Sequence, residues 1–292
     1  MSFFLGAARM KMAQHKLLPT IIGLAVGNIL WVAPSTDAAS QKAPQMAKLV
    51  ESPTVSPAAV VNSPILPLPL AVQLDPAKVA LGNKLFHDPR LSANDKISCA
   101  SCHDINTNGA DNKPLSNGIN GGKTGVNSPT VFNSGLNFMQ FWDGRADSLE
   151  QQIDGPVHHP NEMGSNWRQI LPKLRADAAY AQNFKNLCKD GITVANIKDS
   201  IAIFERSLIT VNSRFDRYVR GESNALTQLE QSGYRLFSDL GCVSCHQGQA
   251  VGGNMFQKFG VIGNYFKDRG NITQADYGRY NVTGDDADKH VF

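Results

Sequence analysis

No run of basic residues occurs in this chain of 292 residues, and its formal charge is only +3. The electrostatic footprint of a nucleic-acid binder is therefore missing. Sustained alternation of apolar and polar residues is missing too, so strands are not expected as the main element. The one long apolar stretch, Leu17 to Ala33, is broken by Pro19, Gly23, Gly27 and Asn28 and is short for a bilayer span. Cysteine is scarce at five residues, and four of the five fall into two copies of a single pattern. What remains is an ordinary globular balance, 42% hydrophobic and 18% charged, in a chain long enough for two cores.

The two copies are Cys99-Ala100-Ser101-Cys102-His103 and Cys242-Val243-Ser244-Cys245-His246. Cys-x-x-Cys-His is the attachment pattern for c-type haem. Two intervening residues let the thiols straddle the vinyl groups of one porphyrin, and the histidine supplies the proximal nitrogen to iron. A single match is compatible with a thiol redox pair. Two matches, each with its histidine, imply two covalently bound haems, with Cys99, Cys102, Cys242 and Cys245 as attachment points and His103 and His246 as iron ligands. Cys188, without a partner, reads as a small buried apolar side chain.

The N-terminus reads as an address. Arg9, Lys11, His15 and Lys16 precede the apolar stretch, and Ser35 to Ser40 offers small residues for cleavage. Residues 1–39 are thus expected to be a secretory signal peptide, with an uncleaved anchor as the competing reading, and the mature protein is expected in the periplasm. Residues 40–70, with six prolines from Pro44 to Pro69, read as an extended tether. Order is expected from about Leu74, where Asp75 can cap a helix opened by Pro76. Caps at Asp177, Thr193 and Thr227 precede further helical periodicity: Tyr180, Phe184, Leu187, then Ile197, Ile201, Phe204, Leu208. The stretch from Asp104 to Thr130, with five glycines and six asparagines, reads as a long loop. Both pentapeptides have similar lead-ins, Gly82 to Phe86 and Gly233 to Phe237. The expected fold is mainly α: two cytochrome-c-like haem domains with long loops, residues 71–220 and 221–292, breaking near 219–223.

Further motifs carry a family resemblance from about Leu74 to Phe292. Ser128-Pro129-Thr130-Val131-Phe132-Asn133, Phe141-Trp142-Asp143-Gly144-Arg145-Ala146, Gly155-Pro156 before Glu162-Met163, and Asn212 to Tyr218 resemble the bacterial di-haem cytochrome c peroxidases. That family includes a related di-haem enzyme that matures a quinone cofactor in a partner protein. The resemblance implies that the Cys99/Cys102 haem is the peroxide site and the Cys242/Cys245 haem the electron-transfer site. It implies Glu162 as the distal acid–base group, Gln152 as its companion, and Trp142 as an aid to electron passage. It implies Asn133 as a ligand of an inter-haem calcium, and a homodimer. The expected reaction is reduction of hydrogen peroxide to water with electrons from a small periplasmic cytochrome or copper protein. Alternatives are oxidative maturation of a partner protein, pure electron transfer, and an inactive remnant.

The chain departs from the family pattern twice. Where typical members place a histidine that binds the peroxidatic iron from the far side, this sequence has Ile119, and the loop holds no histidine. An open iron position in the resting protein is the expected consequence, although His158 and His159 lie close in sequence to Glu162. Only 46 residues follow His246, with Met255 the single methionine among them, so the second domain is expected to be incomplete.

Overall fold

The computed structural model describes residues 63–292, which lie within one compact unit. The expected signal peptide and most of the expected tether lie outside the described residues. Ten helices and no multi-residue strand occur among the described residues, where β pairing is confined to isolated bridges. The mainly α expectation holds.

Each predicted helix start is found with its cap. Helix α1 spans Pro76–Phe86, with Asp75 accepting from the N–H groups of Ala77 and Lys78 and proline in the first turn. Two one-turn helices, α2 (Leu149–Gln152) and α3 (Asp154–His158), follow the long loop. Helix α4 (Trp167–Arg175) is capped by Asn166 and α5 (Ala178–Leu187) by Asp177. The longest, α6 (Val194–Ser207), is capped by Thr193. Helix α7 covers Arg214–Val219, and α8 (Gln228–Asp239) opens with the expected capping box between Thr227 and Glu230. Two short helices, α9 (Tyr265–Arg269) and α10 (Tyr280–Thr283), complete the chain.

The core is built where α1 crosses α6. Leu81, Leu85 and Phe86 meet Ile197, Ile201 and Phe204, with Tyr180 and Phe184 of α5 beside them, all buried. Gly82 makes this crossing close: a Cβ there would come within 1.9 Å of the Ser200 carbonyl oxygen. Without a side chain the two backbones approach closely enough for their flanking residues to interdigitate. Cys188 is buried at the edge of this core, as an apolar side chain would be.

The tether ends earlier than the sequence suggests. Ile65 and Leu68 are buried, the Leu68 N–H donates to Asp216 Oδ1 at 2.8 Å, and Arg220 donates to the Leu68 carbonyl. Ile65 forms a parallel bridge with Gly248, and the Ser63 hydroxyl meets that of Tyr234. Proline-rich composition predicts an extended tether but not the docking of Ile65 and Leu68 against Gly248 and Asp216. The break expected near 219–223 falls at the turn between α7 and α8, inside the compact unit.

Candidate functional site

Cys99–Ser101 forms a single 3-10 turn that starts beside the α1–α6 core. Its Cys102 and His103 N–H groups both bond to the Cys99 carbonyl, at 3.1 and 3.0 Å. The tight turn brings both thiols and the imidazole to one wall of a cleft with about 1210 Å³ of empty space, open mouth included. This is ample for a flat cofactor of porphyrin size. His103 Nδ1 faces the carbonyl oxygens of Pro129 at 3.0 Å and Gly109 at 3.3 Å. Donation from Nδ1 to a carbonyl leaves the Nε2 lone pair available to a metal, the arrangement found for ligating histidines. Burial lowers the proton affinity of His103 and pushes the Cys99 thiol up to about 12, so neither carries charge at neutral pH. Neutral thiols and a neutral imidazole along a largely apolar cleft suit a flat, largely apolar ring.

Gln152 and Glu162 line the same cleft. Glu162 is carried by the bend after α3, where its N–H bonds to the His159 carbonyl at 3.0 Å and Met163 reaches back to Pro156 at 3.1 Å. The start of α3 is anchored in turn: Asp154 accepts from Trp167 Nε1 at 2.8 Å and Lys198 Nζ at 2.6 Å. Half-burial raises the Glu162 carboxyl above the ordinary range, with His159 and Arg145 pulling the other way. His159 Nδ1 lies 3.5 Å from Glu162 Oε1. His159 is nevertheless exposed, and His158 packs edge-on against Trp167. Neither histidine is among the residues lining the cleft.

Ile119, at the position where the family pattern has histidine, is buried and its N–H donates to the Glu162 carbonyl at 2.8 Å. Gly118 permits this, since a Cβ would fall 1.8 Å from the Asn161 carbonyl oxygen. The glycine-rich loop is therefore pinned to the backbone beside the acid.

Trp142 is placed differently from the other sequence candidates. Its side chain is 42% exposed and packs at 4.6 Å against Phe292, while its neighbours Phe141 and Arg145 line the cleft. Arg145 lies 3.4 Å above the Phe141 ring and pairs with Asp143 at 2.7 Å. Asn133, in the left-handed region at φ 61°, uses its amide locally: Oδ1 accepts from the Thr210 N–H at 3.0 Å and Nδ2 donates to the Thr210 hydroxyl at 2.8 Å. Among the described residues no group of three or more His, Cys, Asp or Glu could hold a metal ion.

The second pentapeptide repeats the local geometry. Cys242–Ser244 is a 3-10 turn, the His246 N–H bonds to the Cys242 carbonyl at 2.9 Å, and His246 Nδ1 lies 3.1 Å from the Val251 carbonyl. Its surroundings differ. Helix α8 buries no residue, and Leu229, Leu236 and Leu240 are exposed. Phe237 approaches His246 at 6.0 Å between rings.

Two cleft residues escaped the sequence reading as candidates in their own right. Arg145 was seen only as part of a motif. Glu205 was passed over although it follows Ile197 and Ile201 at intervals of four, on the stripe that the helical period predicts to be buried.

The description "Di-haem cytochrome c peroxidase" belongs to the family whose profile matches residues 76–224. The chain is 45% identical over 229 residues to the cytochrome c peroxidase Ccp of Escherichia coli K12, covering 78% of this chain and 49% of that protein. It is 42% identical over 233 residues to the cytochrome c551 peroxidase of Nitrosomonas europaea, covering 79% and 68%. A methylamine utilization protein MauG of Methylorubrum extorquens is 33% identical, covering 67% of this chain and 56% of that one. Among solved structures, a MauG-like protein associated with microbial copper homeostasis superposes with a TM-score of 0.65 at 30% identity, covering 79% and 71% of the two chains. The chain thus spans about half to two thirds of the length of these curated relatives.

Proposed function

Since this chain belongs to the di-haem cytochrome c peroxidase family, we propose that it reduces hydrogen peroxide to water with electrons from a small periplasmic redox protein. Two cytochrome-c-like units, residues 71–220 and 221–292, would each carry one haem c, joined through Cys99 and Cys102 and through Cys242 and Cys245. His103 and His246 would hold the irons through Nε2, since each Nδ1 faces a backbone carbonyl. When bound, haem supplies the electron storage and the iron on which the O–O bond is cleaved.

The protein's own part is proton movement and positioning. Cleaving peroxide to water requires a proton to leave one oxygen and arrive at the other. A carboxyl with raised proton affinity, held at the cleft wall, accepts the first and returns it to the second. Glu162 has that environment, and the Gln152 carboxamide in the same cleft can orient peroxide by donating to one oxygen and accepting from the other. Ile119 offers no ligand, so no imidazole from this loop need leave before peroxide enters. Its N–H bond to Glu162 keeps the acid in place. Trp142 connects this region to the C-terminal aromatic residues through Phe292 and is the group through which electron passage is proposed.

The observation that carries this reading is the convergence of Cys99, Cys102, His103, Gln152 and Glu162 on one cleft. Calcium at Asn133 has less support, because that amide would have to release Thr210. The test is expression in a host competent for cytochrome c maturation, followed by pyridine haemochrome analysis and a peroxide assay with reduced cytochrome c. Haem on both pentapeptides and Glu162-dependent peroxide consumption are expected; no haem on Cys99/Cys102 would sink the proposal. Oxidative maturation of a partner protein instead predicts negligible turnover with reduced cytochrome.

A further inference from the structure

Glu205 is the most deeply enclosed carboxyl in the cleft and takes no part in the chemistry described so far. It lies on the α6 face that lines the cleft, is 7% exposed, and its Oε2 is shut off from solvent without a hydrogen-bond partner. An unpartnered carboxylate in that position is costly, and burial raises its pKa to about 8. The group is near enough to Cys99 to affect that thiol's proton affinity. A cofactor tethered by Cys99 therefore has this carboxyl beside its attachment point. A buried acid with no structural partner is expected to be eliminated or paired unless its proton has a use.

We propose that Glu205 is a redox-linked proton site: it takes up one proton from solvent when the iron held at the first attachment site gains an electron, and releases that proton when the electron leaves. The balance is one electron from an external one-electron donor and one proton from water, with carboxylate converted to carboxylic acid and ferric iron to ferrous. Charge drives the coupling. An electron added in a poorly solvated cleft disfavours a neighbouring negative charge and raises the carboxyl's proton affinity, and protonation reciprocally favours the reduced iron.

The other charged groups around Glu205 are engaged or placed elsewhere. On α6, Arg206 is tied to Glu150 of α2 by bonds of 2.6 and 3.0 Å, and Asp199 pairs with Lys78 of α1. Lys84 of α1 sits over Tyr180, and His87, just beyond α1, bonds to the Asn83 carbonyl. Within the cleft stand Arg145, paired with Asp143, and Glu162, beside His159; His103 is assigned to iron. Glu205 is thus the enclosed carboxyl left to respond to a change of charge in the cleft.

The inference rests on haem being attached at Cys99 and Cys102, and the test separates the two. In haem-loaded protein, potentiometric titration of the first haem between about pH 6 and 9 should show its potential falling by about 59 mV per pH unit over part of that range. In Glu205→Gln, which keeps the size but cannot ionise, the slope should vanish there. In the unsubstituted protein at or above about pH 8, where Glu205 is ionised before reduction, the reduced-minus-oxidised infrared difference spectrum should gain a carboxylic-acid C=O band, so the test does not depend on the variant folding. A flat potential, a slope that persists in Glu205→Gln, or no such band would overturn the inference and leave the haem assignment standing. Absence of haem from the first site would overturn both.

Discussion

Cys99 and Cys242 each open a 3-10 turn, and each is followed by a histidine whose Nδ1 is held by a backbone carbonyl. Beyond the pentapeptides the two regions diverge. The first turn stands against a core of α1, α5 and α6 and looks into a walled cleft. The second follows α8, whose leucines face outward, and its Cys245 is exposed. Local hydrogen bonds over five residues therefore suffice to build an attachment turn. Walls around it require tertiary packing, which the first region obtains from α1 just before it and from α5 and α6 much further along the chain. In the second region Leu236 and Leu240 stand exposed beside the turn, and the proposed second haem would lie near them.

This contrast can be broken or sharpened experimentally. The largest effect is expected from Glu162→Gln, which should lower peroxide turnover by about 10²–10⁴-fold, whereas Leu236→Ala beside the second turn should leave single-turnover reaction with peroxide unchanged. Stopped-flow kinetics on the haem-loaded protein would decide. Next in size is stability. Phe184→Ala, in the core behind the first turn, should cost about 3–5 kcal/mol in chemical denaturation, while Leu229→Ala should stay within about 0.5 kcal/mol. Equal losses would mean that α8 is packed far better than its exposure indicates.

The pH profile should differ in a defined direction. Glu162 acts as a base only when ionised, and burial raises its pKa, so the acid limb of turnover should lie above the ordinary carboxylate range. Glu162→Asp, if better solvated, should shift that limb to lower pH. Stability should show a related but smaller signature from Glu205. Its folded pKa of about 8 exceeds the ordinary value, so the folded state binds the extra proton. The stability it allows is fully present below the unfolded pKa and is lost as pH rises toward about 8. Glu205→Gln should therefore gain most over the parent near pH 8 and least near pH 4, measured by denaturant midpoints.

Much of this was legible in the residues. The caps at Asp75, Asp177, Thr193 and Thr227 were readable because capping is a local transaction between a side chain and the next three N–H groups. The two Cys-x-x-Cys-His pentapeptides were readable for the same reason. Less legible was whatever depends on distant partners. The Pro-rich stretch conceals the docking of Ile65 and Leu68, since nothing in their neighbourhood names Asp216 or Gly248 as counterparts. The resemblance assigns Trp142 to electron passage but does not reveal its half-exposed packing against Phe292, 150 residues along the chain. Glu205 was hidden because a charged letter on an apolar stripe is easily discounted. That a helix opens at Thr227 was readable; that α8 buries none of its residues was not.

The docked segment of residues 63–68 has a consequence for how the molecule is made. Ser63 meets Tyr234 across 171 positions, and Leu68 meets Asp216 across 148. A chain emerging from the ribosome with its N-terminus first holds this segment idle until nearly all of the rest has been synthesised. Long closures of this kind are slow to form. Docking of residues 63–68 should thus be a late folding event, bringing Ile65 against Gly248, three residues past Cys245, only after the later part of the chain has been made.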